Sequence, residues 1–153
     1  MNKVFVYTLL LAGALLLQPE SENIGKLKPV ETVSLYIEEE QLVMETDTED
    51  IGRGNSVEEA LRNLKETTSG IIYLDTADYL LVSGETEQLI PQIGAYLKDT
   101  VRVCRSQRAV KVTEASSYLS VHRPNTKLKE YRPGAKLEEL CIENSRMYLK
   151  EKM

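Results

Sequence analysis

The sequence predicts an α+β fold, with a mixed, largely antiparallel sheet and helices packed mainly on one face. Three observations carry that expectation. Val33, Leu35 and Ile37 alternate with Thr32, Ser34, Tyr36 and Glu38, the period-two pattern of a half-buried strand. Val57, Ala60, Leu61 and Leu64 share one helical face, with Arg62 and Lys65 opposite. Strand-like and helix-like stretches then alternate irregularly, which disfavours a doubly wound parallel sheet.

The length of 153 residues suits one domain with its own core. With 42% apolar and 28% charged residues, the chain is neither collagen-like nor low-complexity nor wholly disordered. Its 19 Lys and Arg against 24 Asp and Glu leave a net charge of −5, the wrong sign for displacing counterions from nucleic acid. One His and two distant Cys do not make a structural zinc site, and no cofactor motif is present.

The N-terminus carries the clearest local signal. Lys3 precedes a run from Val4 to Leu17 interrupted only by Thr8 and Gly13, and polar residues begin at Gln18. A short apolar run behind a positive charge describes an export signal, and it is too short to favour a spanning helix. Ala12-Gly13-Ala14 has the form of a cleavage site, while Leu15, Leu16 and Leu17 after it leave retention as a membrane anchor open. Residues 1–17 are thus expected to export the chain, to the outer face of a membrane if retained and to secretion if cleaved.

Residues 18–29 read as a linker closed by Pro29. The body, residues 30–121, opens with a hairpin, strands at 33–37 and 42–48 joined at Glu39-Glu40. Residues 48–55 read as a loop. Ser56 and Glu59 fit a capping box for the first helix, and Gly70 ends that segment. Ile71–Leu74 and Tyr79–Val82 are apolar runs expected to be central strands covered on both faces. A second helix follows Gly84, with Leu89, Ile90, Ile93, Tyr96 and Leu97 inward and Pro91 tolerated in its first turn. Val101 and Val103 face one way, Arg102 and Cys104 the other. Ala109, Val110 and Val112 read as a strand, and Thr113 as the cap of a short helix holding Ala115, Tyr118 and Leu119. Residues 122–153 read as a loop and a C-terminal helix, from Leu137, Leu140, Cys141 and Tyr148 at helical spacing. The expected order is β-β-α-β-β-α-β-α and a final helix.

Candidate chemistry is sparse. Arg102, Arg105, Arg108 and Lys111 concentrate positive charge and are candidates for docking an acidic partner or lipid headgroups; a solvated strand face explains them equally well. Gly52, Gly54 and Asn55 precede a helix N-terminus where a small anion can lie, or else form a turn. Cys104 and Cys141, 36 residues apart, can form a disulfide outside the cytoplasm or remain two buried thiols. His122 has no nucleophile in a recognisable motif beside it. Glu45, Asp47, Glu49 and Asp50 lack the alternation of a calcium loop and read as a solvated loop. No arrangement amounts to an active site, so the expectation is a protein that is not an enzyme. The alternative is an extracytoplasmic sensor of a small molecule.

Several segments, taken in order, resemble a known family. Gly54-Asn55-Ser56-Val57-Glu58-Glu59-Ala60-Leu61 is similar to a helix start in the N-terminal domain of the Ger(x)C family of spore-germination lipoproteins. Ile72 through Glu85 resembles its Tyr-containing strand, loop and apolar strand ending in Gly-Glu. Leu97-Lys98-Asp99 looks like its helix end, and Ala109–Val112 through Leu119 like its late strand and short helix. The resemblance spans residues 30–121. It implies a non-enzymatic subunit on the outer face of the inner spore membrane, with membrane-embedded partners of a germination-type complex. Two departures stand out: Ala14 occupies the position of the lipidated Cys in Leu11-Ala12-Gly13-Ala14, and the family's further domains are not found in this sequence.

Overall fold

The computed structural model describes residues 24–107 and 110–151. The proposed signal or anchor, residues 18–23 of the linker, Arg108 and Ala109 lie outside that description. The class is α+β, as the sequence predicts. In chain order the strands are β1 (Leu27–Pro29), β2 (Thr32–Glu38), β3 (Gln41–Thr46), β4 (Ile51–Gly54), β5 (Ile71–Tyr73), β6 (Tyr79–Val82), β7 (Arg102–Ser106), β8 (Glu139–Glu143) and β9 (Arg146–Lys150). The helices are α1 (Val57–Thr67), α2 (Ile90–Gly94) and α3 (Val112–Val121). Seven strands form one sheet in the order β4-β3-β2-β6-β7-β8-β9, and β1 with β5 forms a small second sheet.

The large sheet is antiparallel at both flanks and parallel across β2, β6, β7 and β8, with more residues paired antiparallel than parallel. All of β6 is buried, as a strand covered on both faces requires. On one face Val33, Leu35, Leu80, Val82 and Val103 pack with Leu64 of α1 and Ile90 and Ile93 of α2. On the other, Tyr79, Leu81, Cys104 and Leu140 pack with Ala115 and Leu119 of α3. Two of the three helices therefore share one face. The buried Thr32 hydroxyl donates to Ser116 Oγ at 2.9 Å, tying α3 to β2 without leaving either group unpaired.

The hairpin β2–β3 forms where expected, and its turn residues Glu39 and Glu40 both have positive φ, 51° and 64°. That is the conformation that matches the twist of a two-residue hairpin, although it favours Asn and Gly over Glu. The cap of α1 also forms: Ser56 Oγ accepts from the Glu59 amide at 3.2 Å. The Glu59 carboxylate reaches one residue further back than a strict capping box and accepts from the Asn55 amide at 2.8 Å.

Other expectations are corrected. Within the expected loop at 48–55, Ile51–Gly54 is strand β4, an edge strand lying under α1. Its glycines hide it from propensity, yet they are what allow the contact. A Cβ on Gly52 would stand 2.6 Å from Leu64 Cβ, and one on Gly54 2.6 Å from the Ala60 nitrogen. The end of the linker, Leu27–Pro29, is strand β1, pairing in parallel with β5. In consequence β5 belongs to the small sheet and not to the centre of the large one, and Ile71 and Tyr73 are exposed. Tyr96 is exposed as well, because α2 is only five residues long and the chain leaves it in turns. Val112 opens α3, whose N-cap is Lys111, so among the described residues neither Val110 nor Val112 is in the strand expected there, and Thr113 is not the cap.

The C-terminal helix is likewise replaced, by the hairpin β8–β9. Asn144 and Ser145 turn it with φ of 49° and 62°, and β8 gains backbone partners by joining β7. Cys141 and Tyr148, which share a helical spacing in sequence, are cross-strand partners instead.

The acidic loop is used internally. Asp47 Oδ1 accepts from the Glu31 and Thr32 amides, each at 3.0 Å. Asp50 pairs with Lys28 of β1 at 3.1 Å and accepts from the Thr48 hydroxyl at 2.7 Å. Burial alone would raise the Asp50 pKa, but the bonds from Thr48 and Lys28 and the Lys28 charge outweigh it and hold it below its ordinary value. A depressed carboxylate contributes stability above its unfolded pKa of about 4 and loses it as pH falls through the folded value. Urea melts of Asp50→Asn against the parent should therefore differ at neutral pH and converge as pH drops below about 4. Gly52→Ala should cost about 1–3 kcal/mol in the same assay, from overpacking against α1.

Candidate functional site

Backbone alternation decides the fate of the basic cluster. Successive residues of a strand point to opposite faces, so Arg102 and Cys104 of β7 lie on the α3 side while Val103 and Arg105 lie on the other. Arg105 turns inward to an ion pair with Glu87, its side chain 23% exposed and that of Glu87 15%. Nearby, the Tyr131 phenol is raised above its usual range by burial and by the Glu87 charge. Lys111 sits on the surface with Glu114 at 3.9 Å. The described members of the cluster thus do not form one docking surface, which corrects that expectation; Arg108 lies outside the described residues.

The other candidates have structural surroundings. Gly52 and Gly54 pack against α1, and the Asn55 amide is occupied by Glu59. Cys104 and Cys141 are both buried and free, so the disulfide is not formed. Cys104 shares a cluster with Leu140, whose neighbour Cys141 must point to the opposite face. Burial, with the charge of Glu138 added, pushes the Cys104 thiol far up and keeps it protonated. His122 closes α3: its amide donates to Tyr118 O at 2.9 Å and its ring stacks on Tyr118 with centroids 4.3 Å apart. Among the described residues no group of three or more His, Cys, Asp or Glu is placed to hold a metal ion.

Two surfaces stand out among the described residues. The first is the outer face of the small sheet. Parallel pairing sets Leu27 beside Ile71 and Pro29 beside Tyr73. Leu27, Ile71 and Tyr73 are 40%, 45% and 44% exposed, while Ile72 between them is buried in the core. The second is a pocket of about 240 Å³ at the start of β6 and β7, lined by Asp78, Tyr79, Thr100, Arg102, Arg123 and Lys127. Only Arg102 among these belongs to the clusters visible in sequence. The 126–128 segment runs back along β7, with Val103 N donating to Thr126 O at 2.8 Å and Leu128 N to Val101 O at 2.7 Å. No periodicity announces that return, so Arg123 and Lys127 read as ordinary loop cations.

No protein-family model, curated protein or solved structure matches this chain. No helix among the described residues is long and apolar enough to cross a membrane.

The Arg105–Glu87 pair ties β7 to the turn ahead of α2, and Arg105 Nε is already buried without a partner. Glu87→Gln leaves the part-buried guanidinium beside a neutral acceptor and should lower unfolding free energy by about 1–2 kcal/mol. Chemical denaturation of the purified variant measures it.

Proposed function

We propose that this chain is an exported, membrane-associated interaction domain without catalysis, serving spore germination or sporulation at the outer face of the cytoplasmic or inner spore membrane. The observation that carries the reading is the exposed apolar face of β1 and β5, of which β1 follows the apolar run 4–17 within a short stretch of chain. Nine residues separate Leu17 from Leu27, and a chain of that length reaches at most about 35 Å. A run inserted in a bilayer therefore keeps this face within that reach of the surface.

The chemistry of the face suits the headgroup boundary. Leu27, Pro29 and Ile71 are apolar, Tyr73 adds an amphipathic ring, and the exposed Lys26 precedes them in sequence. Lys28 also anchors β1 through Asp50, so the face is presented on a fixed element. The occupant we assign to this face is the bilayer interface itself. Multi-spanning membrane proteins of a germination-type complex enter as partners from the family resemblance of residues 30–121.

The chain contains no Trp, so Ile71→Trp introduces a single indole emitter. Its emission should shift to the blue when the full chain is reconstituted into vesicles containing anionic lipid. Val121→Trp, at the 74% exposed end of α3, serves as the reference and should keep an aqueous spectrum. An unshifted Ile71→Trp spectrum overturns docking of this face. Recovery of the full chain from the soluble fraction of sporulating cells overturns the membrane reading as a whole.

A further inference from the structure

The pocket at the start of β6 and β7 holds three cations that the backbone forces together. Arg102 and Lys127 stand opposite each other in an antiparallel bridge. Residues so placed project to the same face with Cβ atoms about 5 Å apart, where like charges repel. Arg123 completes the group from the loop that follows α3.

Among the described residues, no carboxylate forms an ion pair with any of the three. Asp78, the one acid in the lining, is turned to Lys98 at 3.3 Å. Arg102 Nη1 is steered by a carbonyl, donating to Pro124 O at 2.6 Å. Arg123 shares the lining with Tyr79, whose phenol burial raises above its ordinary pKa. Arg102 is thus oriented by a neutral carbonyl, and among the described residues none of the three cations has an ion-pair partner.

We propose that this pocket binds a small oxyanion of the phosphate type, as free phosphate or as the phosphoryl group of a small molecule or a lipid headgroup. Two guanidinium forks and an ammonium match a tetrahedral anion carrying about two charges and several acceptor oxygens. The Tyr79 and Thr100 hydroxyls supply further donors. Asp78 and the net charge of −5 disfavour an extended polyanion. Phosphate binding here gives the chain a ligand-sensing capacity independent of whether β1 and β5 touch a membrane.

Titration of the full chain with sodium phosphate, against sodium chloride at equal ionic strength, tests the site through the melting temperature. A saturable rise with phosphate is expected. Arg123→Gln and Lys127→Gln should each weaken binding roughly tenfold or more, as loss of a charge-assisted bond implies. In chloride Lys127→Gln should melt no lower than the parent, because it removes a like-charge contact with Arg102; a residue needed only for folding would lower it. A second arm compares vesicles containing phosphatidic acid with neutral vesicles. Preference for the former that Arg123→Gln abolishes, without a response to free phosphate, assigns the headgroup as the source. Response to free phosphate assigns a soluble ligand. If parent and variants behave alike in both arms, or the parent responds in neither, the proposal is overturned.

Discussion

Strand β6 is buried along its whole length and on both faces, and most of the architecture follows from that. Such a strand needs a hydrogen-bonded neighbour on each side and a layer of side chains above and below. Parallel pairing with β2 and β7 supplies the neighbours. Leu80 and Val82 are covered from the side of α1 and α2, and Tyr79 and Leu81 from the side of α3. The knot after β6 is closed by Thr86, whose buried hydroxyl donates to Leu35 O at 2.8 Å. Antiparallel strands then extend the sheet at both flanks.

Close approach of α1 sets the second requirement. The helix lies directly on β4, a distance only glycine permits, and Asn63 Oδ1 accepts the Arg53 amide at 2.9 Å. The edge of the sheet is thereby tied to a helix side chain instead of being left open to another strand. On the far side of β4, Arg53 pairs with Glu38 at 2.8 Å across the hairpin. The residues that look most like a ligand loop in sequence are thus occupied in holding helix to sheet. Where this cover stops, at the small sheet and at the start of β6 and β7, the apolar face and the cationic pocket are left to solvent.

Much of the fold was legible in the sequence where one local period dominates. The β2–β3 hairpin, the capped α1 and the buried β6 all have their pattern written in consecutive residues. The failures have a common cause. β1, β4 and β8 are strands because of the partners they meet, β5, β3 and β7, and their own residues carry weak or misleading periods. Leu137, Leu140 and Cys141 fit a helix on paper, but Asn144 and Ser145 adopt the turn that returns the chain as β9.

The candidate site divides along the same line. Composition and spacing alone determined the acidic balance, the apolar run at 4–17 and the helical and strand periods of the core, since each depends only on neighbours along the chain. Tertiary structure decided which charges meet. It sent Arg102 and Arg105 to opposite faces, gave Arg105 to Glu87, and brought Lys127 beside Arg102 through a loop that doubles back along β7. Electrostatic proximity is a property of distance in space, and a strand's alternation or a loop's return changes that distance without leaving a mark in the order of residues.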